Sequence, residues 1–93
     1  DVSDIPGRFA ITEIYPNPFN TKTRVTYSLG YPSKVSAQIF DLSGRVIESL
    51  VNEIQPAGQH LITWNSRDAV SGVYLLRMES SDFSDVRKVV LVR

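Results

Sequence analysis

The sequence predicts an all-β fold, an immunoglobulin-like antiparallel β-sandwich of about seven strands, on three observations. Apolar residues recur with period two, with no 3.6-residue period. Turn residues interrupt them at short, regular intervals. No separator is long enough for a crossover helix, so neighbouring strands pair antiparallel. A small barrel is the alternative closure.

The first strand is expected over residues 9–15 (FAITEIY), and Tyr15-Pro16-Asn17-Pro18-Phe19-Asn20 must end it. Two prolines one residue apart cannot donate to a ladder and hold the backbone extended. Tyr15 and Phe19 flank them as apolar anchors, and Asn17 and Asn20 suit Asx-type bonds to nearby backbone. A rigid corner accounts for the segment structurally, a recognition epitope functionally.

Val25, Tyr27 and Leu29 then alternate with Arg24, Thr26 and Ser28, and Val35, Ala37 and Ile39 with Lys34, Ser36 and Gln38. Each series is a half-buried strand. Further β-rich runs span Val46 to Val51, His60 to Trp64, Val73 to Met78 and Val86 to Val92. Their separators, Asp41-Leu42-Ser43-Gly44, Gln55-Pro56-Ala57-Gly58, Val70-Ser71-Gly72 and Ser80-Ser81-Asp82, carry turn chemistry. The expected core is Val25, Tyr27, Val35, Ile39, Ile62, Trp64, Val73, Leu75, Val90 and Val92. A core face also accounts for Tyr74 and Leu76, and turns with positive φ for Gly44, Gly58 and Gly72.

With 93 residues, 42% apolar and 22% charged, the chain has room for one core. Ten basic and ten acidic residues leave no net charge, which argues against a nucleic-acid partner. No run approaches the ~18 apolar residues of a transmembrane segment, and the first fifteen residues do not resemble a secretory signal. Asp1 in place of Met suggests a segment excised from a longer chain. With no cysteine, disulfides, thiolate nucleophiles and Cys-based metal sites are excluded together.

No catalytic residue is assigned. His60 is the sole imidazole, and neither a cysteine nor a Gly-x-Ser-x-Gly elbow supplies a nucleophile beside it. The pairs Asp82/Asp85 and Glu48/Glu53 fall in turns and on strand outer faces, where solvated acids ordinarily lie. Asp41, Ser43, Asp82 and Asp85 offer oxygen ligands without EF-hand spacing, so no metal and no cofactor is expected. Among the aromatics only Tyr31 and Phe83 are expected to be exposed, a thin platform for a sugar ring.

Read in order, Tyr15-Pro16-Asn17-Pro18-Phe19-Asn20, Phe40-Asp41-Leu42-Ser43-Gly44-Arg45-Val46, Ala57-Gly58-Gln59-His60, Trp64-Asn65, Ser71-Gly72-Val73-Tyr74-Leu75-Leu76-Arg77-Met78 and Arg87-Lys88-Val89-Val90-Leu91-Val92-Arg93 form a pattern. It resembles the C-terminal sorting domain of proteins exported by the type IX secretion system of Bacteroidetes-type bacteria, from about Phe9 to Arg93. The immunoglobulin-like domain of the flagellar hook-capping protein is similar. Two departures are the compact stretch Trp64 to Gly72 and Thr21-Lys22-Thr23, where relatives more often have Pro.

The resemblance implies a non-enzymatic address. It folds in the periplasm in transit, is read by the outer-membrane translocon, and leaves its cargo extracellular or, through a sortase-like peptidase, on the cell surface. Residues 1–8 are then the linker from an upstream, covalently attached cargo, and residues 9–93 a monomeric sorting domain. The recognition candidates are Tyr15, Pro16, Asn17, Pro18, Phe19, Asn20, Gly44, Gly72, Tyr74, Arg87, Lys88 and Arg93. A chain that ends on a hydrophobic strand fits a terminus that is itself read. The final strand pair is the expected recognition edge, because backbone pairing lets one translocon accept divergent cargoes. A structural or carbohydrate-adhesive accessory module of an extracellular enzyme is the alternative.

Overall fold

The computed structural model describes residues 9–81 and 83–93, so the linker expected at 1–8 and the roles weighed for Asp82 lie outside the described residues. Seven strands follow one another: β1 (Ala10–Tyr15), β2 (Lys22–Leu29), β3 (Ser33–Phe40), β4 (Val46–Gln55), β5 (Gly58–Asn65), β6 (Gly72–Ser80) and β7 (Phe83–Leu91). They form two antiparallel sheets, ordered β1-β2-β5 and β4-β3-β6-β7. The hairpins β1–β2, β3–β4 and β6–β7 stay within a sheet, whereas the chain changes sheet after β2, β4 and β5. This is the expected immunoglobulin-like sandwich.

The alternation in β2 and β3 puts Thr23, Val25, Tyr27, Leu29, Val35, Ala37 and Ile39 inside. Trp64 joins them from β5 at 1% exposure, and Ile62 packs half-buried against the same cluster. In the last two strands the inward set is the other one. Tyr74, Leu76 and Met78 of β6 and Val89 and Leu91 of β7 are buried, while Val73, Leu75 and Val90 are half-buried and Val92 is exposed. Both strands are apolar at successive positions, so period two permits either phase. The pairings Leu76 with Ile39 and Tyr74 with Val89 select the inward set.

At the pole where β4 meets β5, Tyr27 Oη donates to Gln55 Oε1 and its ring stacks on His60, 5.4 Å between centroids. Burial pushes the Tyr27 phenol above its ordinary pKa, the Gln55 bond lowers it, and Glu53 raises it. His60 Nε2 lies 2.8 Å from the Pro56 carbonyl, a structural use of the lone imidazole. Phe83 is 40% exposed and Tyr31 38%, as expected, but Phe83 rests on Phe9 at 4.9 Å and Tyr15, at 61%, is the more exposed ring.

At the opposite pole the β3–β4 turn is organised by Asp41. Its Oδ1 accepts from Ser43 N at 2.9 Å, Ser43 Oγ at 2.6 Å and Arg45 N at 3.0 Å, and Gly44 closes the turn at φ +91°, a region that disfavours side chains. The Ser43 hydroxyl first, then the Arg45 amide, hold the carboxyl below its ordinary pKa. A pKa lowered by folding adds stability above the unfolded value and loses it as pH falls through the folded one. Asp41→Ala is therefore expected to lower Tm at neutral pH, and the gap to the unsubstituted domain to close in acid, as read by thermal scans across that range.

Candidate functional site

Three of the six sequence motifs lie at one pole, a fourth ends at it and a fifth begins at it. The register places the Tyr15–Asn20 connection, the β3–β4 turn, the segment after Asn65 and the end of β7 there, because Lys22 pairs with Asn65, Phe40 with Leu75, and Gly72 with Leu91. Ala57 to His60 lies at the far pole, with the β4–β5 turn.

Residues 17–19 form a strap along the free side of β7. Phe19 N donates to Val90 O at 2.9 Å, Val92 N donates to Phe19 O at 2.8 Å, and the two segments make a parallel bridge at Phe19 and Leu91. Asn17 extends it: Nδ2 donates to Lys88 O at 3.0 Å and Oδ1 accepts from Val90 N at 3.0 Å. A side-chain amide, with its donor and acceptor side by side, thus imitates one residue of a strand. The corner expectation holds, but its Asn bonds are not local. They reach a strand more than seventy positions along the chain.

The peptides before Pro16 and Pro18 are cis. Phe19 is buried at 3% and meets the Trp64 ring at 5.2 Å, whereas Tyr15 turns outward. Thr23 Oγ1 donates to Pro16 O at 2.7 Å and ties the strap to β2. Pro16, Pro18, Phe19, Asn20 and Val92 line an open hollow of about 320 Å³.

The segment after β5 is held by Arg93. Its Nε donates to Ala69 O at 2.8 Å and its Nη2 to Ser66 Oγ at 3.0 Å and to the Arg67 carbonyl, while its backbone N donates to Ser71 Oγ at 3.0 Å. Ser66 in turn donates to Thr21 O through N at 2.9 Å and Oγ at 3.1 Å. Tyr74 Oη donates to Val70 O at 2.6 Å beneath the same segment, and its ring meets Trp64 edge-on at 5.2 Å.

The recognition candidates therefore divide by surroundings. Phe19 and Tyr74 are core, Gly44 and Gly72 are turn and strand backbone, and Asn17 and Arg93 clamp one segment to another. Arg87 bonds Asp85 Oδ2 at 2.9 Å and the Ile11 carbonyl at 3.4 Å. Lys88 points outward beside Leu75, and its amine has no ion-pair partner among the described residues. Ser66 was missed by sequence reading, and no pattern marks it: a serine after Asn65 reads as one more turn residue until Thr21 and Arg93 are seen around it. Among the described residues no group of three or more His, Cys, Asp or Glu converges as a metal site would require, and no helix is long and apolar enough to cross a membrane.

Comparison with known proteins agrees with this construction. The family described as secretion system C-terminal sorting domain matches residues 13–92. The chain is also similar to part of PorZ, described as an essential bacterial surface component of the type-IX secretion system of Porphyromonas gingivalis. That likeness has a TM-score of 0.59 and 25% identity over 87% of this chain, which spans only 11% of the PorZ chain. No curated protein gives a significant match. The family match spans all seven strands in whole or part, from β1 to β7, and so the chain belongs to the C-terminal sorting domains of the type IX secretion system.

Proposed function

We propose that this domain is the export address of an attached cargo: the outer-membrane translocon engages the folded sandwich and carries the cargo out. A sortase-like peptidase then separates the two in the segment before β1, leaving the cargo extracellular or on the cell surface. The family match over residues 13–92 carries this reading. It is supported by the way the shared motifs are used. Asn17, Phe19, Tyr74 and Arg93 lock the body together, which favours a conformational address over a linear one. Lys88 and Tyr15, exposed and free of such duties, are among the recognition candidates left for a partner.

The test fuses residues 1–93 to a periplasm-directed fluorescent protein in a type IX-competent strain, with fluorescence read in the medium and on the cell surface. Export is expected for the unsubstituted domain and for His60→Ala. Lys88→Glu is expected to lower export without changing Tm. Deleting Lys88 to Arg93 is the poorer probe, since it removes buried Val89 and Leu91 and with them the fold. A folded fusion held in the periplasm would refute the reading.

A further inference from the structure

A two-sheet sandwich has four edges, and three of them are interrupted or covered here. β4 carries two bulges, with Ile47 and Leu50 left out of its register to β3. β1 is bulged at Thr12, and its Ile11 carbonyl accepts from Arg87. β7 is covered from Lys88 to Val92 by the strap, and further back Asp85 Oδ1 accepts from Val86 N at 2.9 Å. The edge expected to receive a partner is therefore the one the protein closes with its own chain.

β5 is different. It pairs with β2 over eight unbroken residues, Gly58 to Asn65, with no bulge and no proline. The Ser66 N to Thr21 O bond fixes the phase: even-numbered residues of β5 bond β2, and odd-numbered ones turn N–H and C=O away from the sheet. Among the described residues, no bond is made by the outward backbone groups of Gln59, Leu61 and Thr63. Leu61 is 58% exposed on this edge. An open, regular edge is a template for strand addition.

The ground beside it has a chemistry. Glu13, Tyr15, Arg24, Thr26 and Leu61 line a dish of about 270 Å³ on the outer face of the three-stranded sheet. Lys22 and Arg24 stand exposed on that face, paired in register with Asn65 and Thr63, and neither has an ion-pair partner among the described residues. An added strand lies two strand spacings, roughly 10 Å, from β2, within reach of a long cationic side chain crossing Thr63 or Asn65. A second copy of β5 fits less well. The strand GQHLITWN contains no carboxylate, so self-pairing leaves both cations unmatched.

We infer that β5 is a docking edge for an extended strand of a partner protein, apolar opposite Leu61 and acidic opposite Thr63 and Asn65. This deepens the sorting reading and rests on it, with the partner belonging to the export route. Backbone bonds supply attachment without reading the domain's side chains, and the two cations set direction and register.

The test uses the same export fusion with Leu61→Pro, which removes an outward N–H that the fold does not use and obstructs an added strand. Ser49→Pro on the bulged β4 edge is the control. Export at least tenfold below the unsubstituted fusion for Leu61→Pro, with the control unaffected and both folded by circular dichroism, is the expected result. If Leu61→Pro does not fold, the double variant Lys22→Glu/Arg24→Glu takes its place with the same expectation, because both residues are exposed. Export at the unsubstituted level by the folded variant overturns the inference and leaves the sorting reading intact. An unsubstituted fusion retained in the periplasm removes the sorting reading and the inference with it. A concentration-dependent dimer in sedimentation, abolished by Leu61→Pro, would assign the edge to a second copy and overturn the assignment to a partner protein.

Discussion

Trp64→Ala is expected to cost about 3–5 kcal/mol, the range for emptying a buried tryptophan site. At roughly 0.05–0.15 kcal/mol per residue, a domain of this length holds about 5–14 kcal/mol in all, so the variant should be marginal or unfolded near 37 °C. The size of the effect follows from position. The indole is 1% exposed and lies 5.2 Å from both Phe19 and Tyr74, so its removal strips a face from the strap and from β6 together. Urea or thermal unfolding monitored by far-ultraviolet circular dichroism checks it, since the probe tryptophan is gone. A loss below ~1 kcal/mol would mean that the pole closes around the gap, which close-packed interiors rarely do.

Phe19→Ala is expected to cost about 3–5 kcal/mol as well, whereas Tyr15→Ala should fall within ~0.5 kcal/mol of the unsubstituted domain. The two rings flank the same prolines and look equivalent in sequence. Phe19 is buried against Trp64 and its backbone closes β7, while Tyr15 stands in solvent. Because Phe19 and Trp64 share a contact, the double variant should depart from additivity by about 0.5–3 kcal/mol in equilibrium unfolding. Additive losses would mean that the strap and β5 are held independently.

Strand number and strand class were legible because each depends on local chemistry, whereas the expectation that neighbouring strands pair holds only for β1–β2, β3–β4 and β6–β7, since β2 pairs with β5 and β3 with β6 across the chain. Polar and apolar residues alternate cleanly in β2 and β3, and turn residues separate all seven strands. The strong connection at Asp41 could be read the same way, since an Asx turn is completed within five residues. The runs Val73 to Met78 and Val89 to Val92 were legible as strands only. With apolar residues on both faces, nothing in the run itself favours Tyr74 over Val73 or Val89 over Val90.

By itself, then, the sequence determined an all-β sandwich of seven strands and, through six spaced motifs, a resemblance to a sorting family that the comparison bears out. Tertiary structure alone decided which phase of β6 and β7 faces inward, that Asn17 bonds Lys88 and Val90, that Arg93 spans Ser66 to Ser71, and that β5 has the open edge. The reason is range. Alternation and turn chemistry act over two to five residues and are written in neighbouring side chains, whereas a strap, a clamp or an uncovered edge depends on backbone brought together from opposite ends of the chain, and backbone groups are the same at almost every position.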